Sequence, residues 1–178
     1  VDALYELRLR AYAIYVLTRN GTITTGFLNG LRAQVDKKHP NAWKKDLTGA
    51  YMAATYKLLK QDSQAEGIFN QSRLGDPQSS DYHNYYDGLV RDAQVLYLMA
   101  RHFPERLKDL GGDDLLHIFN PIINGNFNTI SSAYTVLALS AYTEALGNPK
   151  PGTIKINEIE TSGKSKMLVV PGGLFPKV

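Results

Sequence analysis

Apolar residues return at helical spacing through the first 147 positions of the chain. Leu4, Leu7, Ala11, Ile14 and Thr18 mark a first helix over about Ala3 to Thr18, stopped by Asn20-Gly21. Phe27, Leu28, Leu31 and Val35 line one side of a second, from Thr24 to Lys38, whose Lys37-Lys38 ending suits the negative pole of a helix dipole. A third runs from Trp43 to Lys60 through Leu47, Ala50, Ala54 and Leu58. Asp62-Ser63 offers an N-cap to a short fourth through Ala65, Ile68 and Phe69, ending near Gly75. The stretch GDPQSSD, Gly75 to Asp81, reads as loop. A fifth helix is predicted from Tyr82 to His102, with Pro104 beyond it. Asp113 offers an N-cap to a sixth through Leu115, Leu116 and Phe119, which Asn120-Pro121 and Asn124-Gly125-Asn126 cut short. A seventh runs from Thr129 to Gly147-Asn148-Pro149, where Gly supplies the helix-ending position and Pro blocks continuation.

The odd-numbered helices share a register mark. Ala11-Tyr12, Ala50-Tyr51, Ala93-Gln94 and Ala133-Tyr134 follow one another at steps of 39, 43 and 40 residues, with a shorter, more polar helix in each gap. A repeat of helix pairs near 40 residues cannot bury its own apolar face, so stacking of neighbours sets the architecture. Long, Ala- and Tyr-rich helices inside and shorter polar ones outside fit a segment of an α/α toroid built of antiparallel helical hairpins. A HEAT-like open solenoid is the structural alternative, and a 34-residue tetratricopeptide period fits less well. After Pro151 the period changes. Thr153 to Asn157 alternates, TSGK around Gly163 reads as a turn, and Lys166 to Val170 reads as a second strand. The chain therefore divides into a helical segment, 1–150, and a short C-terminal β-hairpin, 151–178. Because an isolated hairpin is marginal in water, these strands are assigned to a sheet completed outside this sequence.

Composition narrows the function classes. With 178 residues, 43% hydrophobic and 21% charged, the chain lies in the ordinary globular range and can hold one sizeable core. The longest apolar run, Ala133 to Leu146, is broken by Tyr134, Ser140, Tyr142 and Glu144, so no membrane span is predicted. Val1 enters a helical pattern directly rather than a signal peptide, which reads as a mid-protein piece. The absence of cysteine excludes disulfides, thiolate metal sites and cysteine nucleophiles within this segment. A net charge of +3, scattered over every helix, argues against nucleic acid as a partner.

Candidate chemistry is sparse. Asp113, Asp114 and His117 could place two ligands on one helical face, but two ligands are not a metal site, and an N-cap beside a surface His is the simpler reading. His39, His83, His102 and His117 have no Ser or Cys partner in a nucleophile motif, and no phosphate loop, HExxH or paired-carboxylate signature occurs, so no catalytic residue, metal or cofactor is assigned. Glu105, Asp109, Asp113 and Asp114 read as a solvated acidic turn. Trp43, after Pro40-Asn41-Ala42, reads as a staple between a helix start and its neighbour. Tyr82-His83-Asn84-Tyr85-Tyr86-Asp87 is the densest aromatic run, and Tyr82, His83, Tyr85 and Tyr86 form the candidate interaction surface, with packing of a helix start as the bland reading. Tyr12, Tyr51 and Tyr134 read as inter-helix residues rather than as a carbohydrate groove. A glycan-active toroid enzyme would need inward carboxylates. Glu6, Asp46, Asp87, Asp92 and Glu144 are those available, with Asp46 and Asp92 the pair to test.

The stretches RAYAIYVLTRNG, DLTGAYMAATYKLLKQ and NTISSAYTVLALSAYTEALG together resemble the helical toroid of bacterial alpha-2-macroglobulins, relatives of complement components. The resemblance covers nearly the whole chain, and the order of elements agrees: helices of the toroid, then strands of a flanking β-sandwich domain. It implies a parent protein of the bacterial periplasm or cell envelope that traps attacking proteases through a conformational change, without enzymatic turnover. In the family this domain carries a Cys-x-Glu-Gln thioester motif that captures the protease covalently. This sequence lacks it, so the motif lies upstream in the parent or the parent belongs to a thioester-less branch. A helical-repeat binding scaffold with no link to proteases is the alternative function, and the α/α-toroid glycan enzyme the second.

Overall fold

The computed structural model describes residues 4–77 and 80–147 together with two C-terminal strands, Ile154–Ile159 and Ser165–Val170. The chain is mainly helical. Its long helices are α1 (Tyr5–Arg19), α2 (Thr25–Lys38), α4 (Leu47–Leu58), α6 (Gly88–His102), α7 (Gly112–Ile123) and α8 (Thr129–Ala145), with the short α3 (Ala42–Lys45) and α5 (Asp62–Phe69) between them. Two 3-10 segments, Tyr82–Asn84 of one turn and Pro104–Asp109 of two, flank α6. The strands β1 (Ile154–Ile159) and β2 (Ser165–Val170) pair antiparallel, with Ile154 opposite Val170 and Ile159 opposite Ser165. They fall in a compact unit, Leu146–Val178, separate from the helical unit Val1–Ala145.

Within the helical unit, α1 packs on α4, α4 on α6 and α6 on α8, while α2 lies against α1, α5 against α4 and α7 against α6. The four Ala-marked helices thus form a row, and three of them carry the helix that follows in sequence. Burial reports each helix's place. Every residue of α4 from Leu47 to Tyr56 is buried, as is every residue of α6 from Leu89 to Leu96, because these two have neighbours on several sides. The flanking α2 buries only the stripe Leu28, Leu31 and Val35. Close approach in the row needs small side chains, and Ala50, Ala53, Ala54 and Ala93 are all fully buried there. On α8 the corresponding stripe is Ser131, Thr135, Ala138 and Ala141.

The observed helices depart from the sequence reading at several ends. The helix expected from Trp43 to Lys60 is broken. Asp46 adopts an extended backbone (φ −78°, ψ 161°) and its carboxylate accepts from Thr48 N–H at 2.9 Å, so α3 and α4 are separate helices with an N-cap between them. Gly49 permits that kink: a Cβ there would lie 2.7 Å from both Trp43 O and Lys44 O. The fourth helix ends at Phe69, not Gly75, and starts after Gln61 rather than at an Asp62 cap. The helix expected from Tyr82 starts at Gly88, where Asp87 caps it by accepting from Val90 N–H at 2.8 Å. The sixth helix is capped at Gly111, whose N–H donates to Asp114 Oδ2 at 2.8 Å, rather than at Asp113. It also runs through Pro121 to Ile123, since a proline in the last turn costs one backbone bond and leaves the earlier turns intact. The first helix is shifted slightly, to Tyr5–Arg19. Residues 148–153, 160–164 and 171–178, with the expected TSGK turn and the Pro149 stop, lie outside the described residues.

Candidate interaction site: a tyrosine-lined pocket

The register marks converge. Tyr12 on α1, Tyr51 on α4, Gln94 on α6 and Tyr134 on α8 all line one pocket of about 240 Å³. Because α4, α6 and α8 each contribute from their first two turns (Leu47 and Tyr51, Val90 and Gln94, Ile130 and Tyr134), the pocket lies at their N-terminal ends. Tyr12 and Tyr51 meet edge to face, with ring centroids 5.2 Å apart and planes at 70°, and Tyr15 closes on Tyr51 at 5.4 Å. The Tyr51 hydroxyl donates to Gln94 Oε1, and Gln94 Nε2 donates to Val90 O at 3.1 Å, which fixes the amide.

The floor rests on an ion pair. Arg8 Nε donates to Asp46 Oδ1 at 3.1 Å and Oδ2 at 2.9 Å, and Arg8 Nη2 lies 2.8 Å from Oδ2. The guanidinium stacks 3.6 Å from the centre of the Tyr86 ring, whose hydroxyl reaches Asp46 at 3.5 Å. Asp46 also takes the Thr48 hydroxyl at 2.6 Å. One carboxylate therefore caps α4, pairs α1 to it and anchors the loop ahead of α6.

That loop supplies the rim. Asp81 and Tyr86 exchange backbone hydrogen bonds at 2.7 and 3.0 Å, and the turn between them places Tyr85 in the left-handed region (φ 52°) with its ring 60% exposed. Of the sequence's candidate surface, Tyr85 and Tyr86 line the pocket, joined by Asn84, while His83 is exposed and is not part of the lining. The side chain of Tyr82 is outside the described residues. Burial, and then the neighbouring phenols led by Tyr134, raise Tyr51 well above the ordinary phenol range, and burial raises Tyr134, so these hydroxyls stay protonated and can donate.

The other candidate residues lie elsewhere. Asp46 and Asp92 do not form a pair. Asp92 meets Arg91 Nη1 at 2.6 Å and accepts from Gly75 N–H at 3.0 Å, and burial raises its carboxyl against the pull of Arg91. Asp87 caps α6, Glu144 pairs with Arg101 at 3.0 Å on the surface, and Glu6 is exposed. Among the described residues, no carboxylate lines the pocket. His117 leans on Gly75, where an added Cβ would lie 2.3 Å from its Nε2, and among the described residues no three His, Asp or Glu side chains are grouped to hold a metal. His102 Nε2 lies 2.9 Å from the Tyr15 hydroxyl, and burial together with Arg19 and Arg101 lowers its pKa to about 4. Trp43 is fully buried and donates to Asp36 at 3.1 Å, tying α3 to the end of α2. Sequence reasoning missed Arg91, an arginine with no exposed surface, which reaches Lys45 O at 2.8 Å, Asp76 at 3.3 Å and the Arg73 carbonyl.

The same chain matches proteins of known name over most of its length. It is 35% identical over 172 residues to an alpha-2-macroglobulin of Rickettsia conorii, covering 94% of this chain and 9% of that protein. An alpha-2-macroglobulin homolog of Yersinia pestis is 38% identical over 167 residues, covering 90% and 8%, and an alpha-2-macroglobulin of Pasteurella multocida is 36% identical over 148 residues, covering 80% and 8%. The chain belongs to the bacterial alpha-2-macroglobulin family. It spans less than a tenth of the length of these alpha-2-macroglobulins. No family model and no solved structure matches it. Among the described residues, no helix is long and apolar enough to cross a membrane.

Proposed function

We propose that the chain is a segment of the helical toroid of an alpha-2-macroglobulin whose parent traps attacking proteases by changing conformation, in the periplasm or cell envelope of a bacterium. The observation that carries this reading is the extended identity to three alpha-2-macroglobulins, reaching 94% of the chain. The convergence of α1, α4, α6 and α8 on one pocket supports a curved array with these helices inside. Open apolar faces support further helices packed on it: an apolar groove of about 550 Å³ between α1 and α2 is lined by Ala13, Leu17, Gly26, Phe27 and Gly30, and Phe27 is 65% exposed. The strand pair β1 and β2 is then the start of a flanking β domain. The segment works as scaffold and partner surface for other domains of the same chain, without turnover of its own, as the names of its relatives support. Any thioester belongs to the parent, because the segment has no cysteine.

The test uses the intact parent. Limited cleavage by a protease should compact it in small-angle scattering and protect the bound protease from large inhibitors, with a covalent adduct on a denaturing gel if a thioester is present. Neither compaction nor protection would contradict trapping.

A further inference from the structure

The pocket at the N-terminal ends of the core helices has a lining more specific than core packing requires. Among the described residues, six tyrosines line it: Tyr5, Tyr12, Tyr51, Tyr85, Tyr86 and Tyr134. Among the described residues, no phenylalanine lines it, and neither does the tryptophan. Outside the pocket the buried aromatic positions are mixed: Phe69 and Phe103, stacked at 4.1 Å, with Tyr15, Tyr56 and Trp43. A cavity serving only to receive an apolar side chain gains nothing from phenolic oxygens and leaves them to be desolvated on binding.

Tyrosine offers both an apolar ring face and a hydroxyl that donates and accepts. Rings at the rim are open, with Tyr85 60% and Tyr12 44% exposed. Beneath them the polar groups are held in place: Gln94 by Tyr51 and Val90 O, and the Arg8 guanidinium between Asp46 and Tyr86. The Asn84 amide is tied to Asp81 at 2.9 Å. The volume, about 240 Å³, is below the roughly 300–1,000 Å³ of sites for drug-sized ligands and has room for one ring. Among the described residues no carboxylate lines the pocket, and the Arg8 guanidinium in its lining opposes a cationic ligand.

From this geometry we propose that the tyrosine pocket binds a single neutral pyranose ring, the terminal sugar of a glycan, through stacking of its C–H face on Tyr85 and Tyr12 and hydrogen bonds from its hydroxyls to phenol and amide groups. The site binds without turnover. It is independent of protease trapping and stands on the pocket alone.

The experiment is a two-dimensional NMR titration of the intact chain with three methyl glycosides (glucoside, galactoside and N-acetylglucosaminide), with N-acetylphenylalaninamide as the competing aromatic probe. Saturable shifts confined to residues lining the pocket, with a millimolar Kd for at least one glycoside, are expected. Tyr85→Ala should weaken that binding at least fivefold, and Tyr134→Phe, a conservative variant that keeps the ring, at least twofold. No saturation by any of the three glycosides overturns the proposal. So does tighter binding of the phenylalanine amide, which would make the pocket a socket for an aromatic side chain, and so does binding left unchanged in both variants.

Discussion

Arg8 and Asp46 stand 38 residues apart in sequence and meet with both carboxylate oxygens engaged, at 2.8 to 3.1 Å, while the guanidinium carbon sits 3.6 Å from the centre of the Tyr86 ring. Both side chains are withdrawn from water, 9% and 1% exposed. Removing one partner strands the other charge, so Arg8→Met and Asp46→Asn are each expected to destabilise the helical unit by about 3–5 kcal/mol. Asp46→Ala, which also loses the cap of α4, should cost a further 0.5–2 kcal/mol or about that much. Urea unfolding followed by circular dichroism measures all three. Losses under about 1 kcal/mol, the level of an exposed ion pair, would show that water reaches this one.

Gly49→Ala reverses the usual rule. In an ordinary helix interior this change stabilises by about 0.5–1 kcal/mol. Here the new methyl would stand 2.7 Å from two backbone carbonyl oxygens on the far side of the Asp46 kink, which cannot rotate away. A loss of about 2 kcal/mol or more is expected, by analogy with overpacking elsewhere. A stabilised variant in thermal denaturation would mean that α3 and α4 are not kinked together as described.

His102 makes stability depend on pH. Burial first, then Arg19 and Arg101, hold its folded-state pKa at about 4, below the ordinary 6.5. The unfolded chain therefore takes up this proton near pH 6.5, and the folded chain only near pH 4. The contribution is complete above pH 6.5, declines as pH falls from 6.5 to 4 and is gone below that. Its size is on the order of 2 kcal/mol, allowing for partial exposure. Comparison with His102→Phe isolates it: the difference in unfolding free energy between the two proteins should shift by that amount across the window, and a flat difference would contradict the assigned environment.

Tyr51→Phe tests the amide at the pocket floor. Without its donor, Gln94 Oε1 loses its partner in a buried setting, and a cost of about 1–2 kcal/mol is expected with the fold retained. Ala50→Leu, at a fully buried contact in the row, should cost about 1–3 kcal/mol by overpacking. Both are read from denaturant midpoints. If Ala50→Leu is neutral, α4 is not packed on both sides.

Helix periodicity was enough to locate most of the helical segments, since α1, α2, α6 and α8 each carry an apolar stripe that recurs every three or four residues. Their ends were less legible, because the deciding groups act locally against the pattern. Asp46 and Asp87 stop helices by accepting backbone N–H groups, and nothing in the hydrophobic period distinguishes such an aspartate from a surface one. The pocket was half visible. The common spacing of Tyr12, Tyr51, Gln94 and Tyr134 implied equivalent places on successive helices, and equivalent places on packed helices become neighbours in space. That Tyr85 and Tyr86 join them depends on the turn closed by Asp81, and the burial of Arg91 depends on two segments distant in sequence, at Lys45 and at Arg73 to Asp76. Neither leaves a periodic trace.

The meeting of α1 and α8 at one concavity can be tested directly. Since the chain contains no cysteine, Leu9→Cys and Ile130→Cys, both partly exposed on the pocket's lining, give a clean pair. A short bismaleimide should join them within one folded molecule, giving a single monomeric cross-linked species that survives dilution. A folded double variant that forms only intermolecular adducts, or none, would contradict the convergence of the four helices.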